Sequence, residues 1–217
     1  MCAAHSAEAP FTPEGTIGPF YPGVFVAQMP HDLTTVAPLQ SHRPAGTPIQ
    51  LRLRFLDAAS LPVRSVIVEC WQANADGRYR HPADRSGRAL DPHFDGFARL
   101  RTGDDGICVL CTVKPGAHAA AVAGAAGSPV RAPHVRLTIF ASGIDRIVTQ
   151  VFFDDEPGNA ADPVLGAVSA GDRERLIARR VNARDADGGT AYELTIRMRG
   201  DGETPFIDDW ASEDEHA

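Results

Sequence analysis

Strict alternation of apolar and polar side chains constrains this chain more than any other feature. Ile49, Leu51, Leu53 and Phe55 alternate with Gln50, Arg52 and Arg54. A period of two places alternate side chains on opposite faces, as in a strand buried on one side only. The same rhythm returns in HVRLTIF (His134 to Phe140), with Val135, Leu137 and Ile139 on one face, and in YELTIRMR (Tyr192 to Arg199). SVIVECW (65–71), residues 96–101, residues 107–113 and IVTQVFF (Ile147 to Phe153) read as further strands. NADG (Asn74 to Gly77) signals a turn, GDDG (Gly103 to Gly106) a hairpin turn, and KPG (Lys114 to Gly116) breaks the ladder. The one segment with helical character is GDRERLIARR, Gly171 to Arg180.

Many short strands with almost no helix predict an all-β, two-sheet sandwich with one short helix. The 217 residues suffice for one domain with its own core, and no internal repeat divides them. The expected layout is a loose leader (1–10), an arm rich in Pro, Gly and Thr (11–46), the sandwich (47–210) and an acidic tail (211–217). Phe20, Tyr21 and Phe25 mark the arm as packed against its own domain or a neighbour, since a solvated linker does not need three aromatic rings.

Several functions are excluded at this stage. Lys and Arg number 21 against 28 Asp and Glu, and they form no basic patch for nucleic acid. No stretch of 18 apolar residues exists to span a membrane, and no charged segment followed by a long apolar run resembles a signal peptide. The expectation is a cytoplasmic protein. Cys2, Cys70, Cys108 and Cys111 are too few and irregular for a disulfide framework. Cys108 and Cys111 form half of a zinc pattern without its other half, so buried thiols are expected. No phosphate loop, nucleophile elbow or dinucleotide fingerprint is present.

The histidines are the remaining chemical resource. His5, His31, His42 and His216 fall in irregular segments, whereas His81, His93, His118 and His134 lie near strands. His134 and Arg136 share a strand face with Thr138 and Phe140. Two basic residues there repel a cation unless carboxylates or phenolates offset them. Tyr79, in GRYRH, has an ordinary pKa near ~10 and would need a strong cation nearby to ionise. From the residues alone, both a polar sandwich edge and a site stay open.

Longer motifs carry a resemblance. VIVECWQANADGRYRHPADR (Val66 to Arg85), DPHFDGFARLRTGDDGICVLCTVKPG (Asp91 to Gly116), RAPHVRLTIF (Arg131 to Phe140) and IVTQVFFDDE (Ile147 to Glu156) together resemble the intradiol ring-cleaving dioxygenases, in the family's order. The similarity spans roughly residues 11–210. Within the family, TPEGTIGPFYPG (Thr12 to Gly23) and RGDGETPFIDDW (Arg199 to Trp210) are most similar to the alpha chain of its two-chain enzymes.

The resemblance implies ring cleavage of a catechol by O2 at a ferric iron held by two tyrosines and two histidines. The first tyrosine falls on Tyr79 and the first histidine on His134. The second tyrosine's place holds His118, and the second histidine's place holds Arg136. An arginine has no lone pair to donate, and its charge beside the metal costs several kcal/mol even at an effective dielectric of ~20. The expected state is therefore a degenerate metal site. Arg131 and Gln150 match an arginine and a glutamine that the family uses at its substrate and are remnant candidates. The iron is expected in a homologous beta chain, with active sites at alpha–beta interfaces. There Thr16, Gly18, Pro19 and Phe20 would form one wall of the substrate cleft. Phe20 replaces a customary tyrosine. Ser142 replaces an arginine suited to a substrate carboxylate, with Arg146 four residues on. The competing expectations are a self-sufficient dioxygenase with an altered ligand set and a non-catalytic transthyretin-like binding module. The first predicts tyrosinate–iron colour in the lone chain; the second predicts no beta-chain partner.

Overall fold

The computed structural model describes residues 32–34, 43–119, 129–142, 144–184 and 190–206. The leader, nearly all of the arm, including Thr16, Gly18, Pro19 and Phe20, and the acidic tail lie outside the described residues.

Ten strands are described: β1 Pro48–Leu56, β2 Ile67–Trp71, β3 Phe97–Arg101, β4 Ile107–Val113, β5 His118–Ala119, β6 Val130–Arg131, β7 His134–Ala141, β8 Ile144–Phe153, β9 Ile177–Arg184 and β10 Thr190–Arg197. Eight of them form one ladder in the order β3-β2-β7-β8-β9-β10-β1-β4, while β5 and β6 pair separately. The ladder folds over as two four-stranded layers. Their link is a short parallel contact between β8 and β9, Phe152 opposite Ile177 and Phe153 opposite Ala178.

The period-two pattern accounts for the interior. Leu51, Leu53 and Phe55 of one layer and Val135, Leu137 and Ile139 of the other are fully buried in a common core. Tyr192, Leu194 and Ile196 of β10 join them. Burying each such side chain stabilises the fold by roughly 1.5–3 kcal/mol, so a one-residue slip in register would expose a whole apolar row.

Three expectations need correction. Residues 171–180 are not a helix: Arg173–Leu176 form a single 3-10 turn, and β9 begins at Ile177. Arg, Glu, Leu and Ala favour helix locally, but this segment fills the gap between β8 and β10 and pairs with both. Backbone pairing on two edges overrides propensity. The short α-helix lies instead at Pro163–Ala167 (α1), where Asp162 caps the first turn and Pro163 opens it. GDDG makes a tight turn, Gly106 N to Gly103 O at 3.0 Å, but it does not close a hairpin. β3 and β4 are opposite ends of the strand order, so the turn carries the chain from one layer to the other. Cys70 and Cys108 are buried free thiols as expected, but Cys111 is half-buried.

Candidate functional site

The site gathers at one end of the β2–β7–β8 layer, on the face turned away from the core. Two loops build it. Asn74 O accepts from both Gly77 N (3.0 Å) and Gly116 N (2.9 Å), fastening the turn after β2 to the loop after β4. Both glycines are required by space. Gly77 has φ +76°, and a Cβ there would lie 2.1 Å from Ala117 O; at Gly116 it would lie 2.3 Å from Ala75 O. This backbone-to-backbone approach brings Tyr79, two residues after the first glycine, against His118, two residues after the second.

The rings then run in series. Tyr79 and His118 meet edge-to-face with centroids 5.1 Å apart, and His118 and His134 are also 5.1 Å apart. Trp71 stands 5.5 Å from Tyr79, and Phe152 lies 5.4 Å from His134. Tyr79, His118 and His134 are all buried. Tyr79 N donates to Asp84 Oδ2 at 2.8 Å, which fixes the loop behind the ring. His134 Nδ1 lies 2.7 Å from Ala132 O. An acceptor there assigns the proton to Nδ1 and leaves a lone pair on Nε2.

Arg136 follows on the same face of β7. In the ladder it stands between Trp71 of β2 and Gln150 of β8. Arg131 sits opposite His118 in the β5–β6 pair. Its Nε donates to Asp162 Oδ2 at 3.0 Å, and an Nη donates to Gln150 Oε1. Asp162, missed in the sequence, is the organising carboxylate. Oδ2 also accepts from Ala132 N (2.7 Å), and Oδ1 accepts from Val164 N (2.9 Å) and Leu165 N (3.1 Å). Its signal was available as an Asp-Pro pair at a helix start. Trp71 was also missed, because in sequence it reads as one more apolar residue of a strand.

Ionisation follows from burial and from the guanidinium groups. Burial pushes the Tyr79 phenol up to about 12, with Arg131 and Arg136 pulling the other way. Burial, reinforced by Arg131 and Arg88, takes His118 down to about 4. Burial, with Arg131 and His118, holds His134 well below the usual imidazole range. At neutral pH the cluster is thus a neutral phenol and two neutral imidazoles beside the guanidinium groups of Arg136 and of Arg131, which pairs with Asp162.

The four positions that the resemblance assigns to the metal lie together, but they supply one phenol, two imidazoles and a guanidinium. A guanidinium has no lone pair to give, so this set does not fit the two-tyrosine, two-histidine ligation that the resemblance implies. Ser142 is not part of the cluster: it is exposed beyond the far end of β7, eight residues from His134 and roughly 26 Å along a strand. Arg146 is half-buried near the same end of β8.

A family model described as "Dioxygenase" matches residues 18–200. The chain is 35% identical over 190 residues to the protocatechuate 3,4-dioxygenase beta chain of Burkholderia cepacia, covering 87% of this chain and 79% of that one. It is 40% identical over 167 residues to the protocatechuate 3,4-dioxygenase alpha chain of Pseudomonas putida, covering 75% and 77%. The fold is similar to that of 3-chlorocatechol 1,2-dioxygenase from Rhodococcus opacus 1CP, with TM-score 0.59 at 19% identity over 86% of this chain and 71% of that one. The chain belongs to the intradiol ring-cleavage dioxygenase family.

Proposed function

We propose that this chain is the alpha, supporting subunit of a protocatechuate 3,4-dioxygenase. The enzyme would cleave 3,4-dihydroxybenzoate with O2 between its two hydroxylated carbons to give 3-carboxy-cis,cis-muconate. In this reading Fe3+ is held by a homologous beta subunit, and this chain binds none and is inactive alone.

The observation that carries the proposal is Arg136. It follows His134 on the same strand face, beside the imidazole and phenol whose ionisation it affects. A permanent cation among the expected ligands opposes a trivalent metal. Similarity to both alpha and beta chains agrees with a two-chain enzyme. The active site then lies between subunits, with Thr16, Gly18, Pro19 and Phe20 of the arm forming one wall. Arg131 and Gln150, bonded to each other, are remnants of substrate-handling positions and keep a structural role. The assembly works in the cytoplasm on a small aromatic acid.

The test is iron content and visible absorbance of the chain purified alone and co-expressed with a cognate beta chain. The expected result is a colourless, iron-free lone chain and one ferric iron per pair in a complex that cleaves protocatechuate. A second reading, a self-sufficient dioxygenase using Tyr79, His118 and His134, draws on the 5.1 Å spacing of those rings. It predicts stoichiometric iron, a tyrosinate charge-transfer band and turnover in the lone chain.

A further inference from the structure

The layer that does not carry the ring cluster has a groove of about 380 Å³ on its outward face, walled by arginines of β1, β9 and the turn before β9. Leu51, Leu53 and Phe55 point into the core, so Arg52 and Arg54 between them point out. In register, Glu193 of β10 stands between Arg52 of β1 and Arg179 of β9. One carboxylate thus lies between two guanidinium groups, and its contact with Arg52 is a long 3.9 Å. Arg54, one step along the same face, stands between Thr195 and Ile107, neither of them acidic. At the rim Arg179 pairs with Glu174, and Arg175 pairs with Asp172 at 2.5 Å. The lining holds four arginines and two glutamates, an excess of two positive charges, of which Asp172 offsets one.

An acidic segment of the same chain is rooted beside this groove. After β10 the backbone turns, with Glu203 N donating to Gly200 O at 2.9 Å, and returns along the strand end, with Thr204 N donating to Arg197 O at 3.0 Å. Glu203 O accepts from Arg175 Nη1 at 3.3 Å, so the chain passes the groove's wall just before Ile207. From Ile207 to Ala217 the sequence holds Asp208, Asp209, Glu213, Asp214 and Glu215 and no Lys or Arg. A stretch of that length can span up to roughly 36–40 Å, ample to reach every arginine of the groove.

We propose that the arginine groove is the docking site for residues 207–217 of the same chain, whose carboxylates pair with Arg52, Arg54, Arg175 and Arg179. A guanidinium carries five N–H donors in a fork, so each arginine can keep its present partner and take a second carboxylate. One exposed pair contributes little. Several act together here, and the tether at Glu203 holds the segment at an effective concentration of about a millimolar. The contact involves neither a beta chain nor iron, so it stands or falls apart from the subunit reading.

The experiment compares the full chain with a variant whose segment is neutralised by Asp208→Asn, Asp209→Asn, Glu213→Gln, Asp214→Asn and Glu215→Gln. Proton–nitrogen correlation spectra follow the backbone amides and the arginine Nε–H groups. Neutralisation is expected to move the signals of Arg54, Arg179 and Thr195 and to leave those of β7, in the other layer, in place. Raising NaCl from ~0.05 M to ~0.5 M should move the wild-type signals the same way, because screening weakens exposed pairs. A synthetic peptide of residues 207–217, added to the neutralised variant, should restore the wild-type positions. Arg54→Gln combined with Arg179→Gln should weaken that peptide about fivefold. Groove signals that ignore both neutralisation and salt overturn the proposal. Peptide binding that is unchanged in the double arginine variant overturns it too. So do wild-type shifts that grow with protein concentration, because they assign the groove to a second copy of the chain.

Discussion

Acidification should unfold this protein through His118, and the effect can be isolated by one substitution. The imidazole is buried, faces Arg131 and Arg88 as well as Asp162 and Asp84, and its pKa falls from 6.5 to about 4. The folded value is depressed, so the unfolded chain takes up the proton first. The stability is intact above pH 6.5 and is lost as pH falls toward 4. At 1.36 kcal/mol per pKa unit, the gap corresponds to roughly 3 kcal/mol, lost with a slope approaching ~1.4 kcal/mol per pH unit. Against a total stability of ~5–15 kcal/mol that is a large share. The assay is urea unfolding at closely spaced pH values from 7.5 to about 4, for the wild type and His118→Gln. The variant cannot take up this proton, so the difference between the two curves should widen in its favour as pH falls. His134 and the carboxylates titrate in both proteins and largely cancel. Parallel curves would refute the argument, because they would mean that His118 is as free to protonate in the folded protein as in the unfolded one.

Other expectations follow from the same geometry. Asp162→Ala removes the acceptor for Arg131, Ala132 N and the first turn of α1; a loss of about 3–5 kcal/mol is expected in the free energy of unfolding by urea, since a half-buried guanidinium loses its carboxylate there. Gly77→Ala should cost at least ~2 kcal/mol in thermal unfolding, because the new Cβ meets Ala117 O at 2.1 Å in a left-handed backbone. Lys114 bonds Asp155 (2.7 Å) and Glu156 (2.6 Å) at the end of β4. Burial works against its charge, but these bonds override it and raise its pKa. Lys114→Met should lose about 2–3 kcal/mol at pH 7. The penalty should shrink in acid, because the lowered pKa of Asp155 contributes only above the usual carboxylate range. Under the proposed function, His118→Tyr combined with Arg136→His restores the ligand types that the resemblance implies, and the double variant should take up iron with a tyrosinate band that the wild type lacks.

The sequence by itself determined the strands that matter most and the chemical identity of the site. Alternation places Val135, Leu137 and Ile139 inward and His134 and Arg136 outward without any coordinates, because a strand's period is fixed by its covalent geometry. The presence of an arginine where a ligand is expected is likewise a property of the chain alone. What only the tertiary structure decided is whatever depends on which strand lies beside which. Residues 177–184 form a strand because β8 and β10 leave an edge on either side of them, a condition that local propensity does not see. The turn at Gly103 joins two layers because β3 and β4 pair with different neighbours. Asp162 meets Arg131, and His118 meets Tyr79, across gaps of 31 and 39 residues. Close approach there is set by two glycine-lined loops pressed backbone to backbone. Hydrogen-bond satisfaction is likewise a sum over all packed neighbours. That Trp71 Nε1 and His118 Nδ1 find no hydrogen-bond partner among the described residues is therefore visible only once those neighbours are in place.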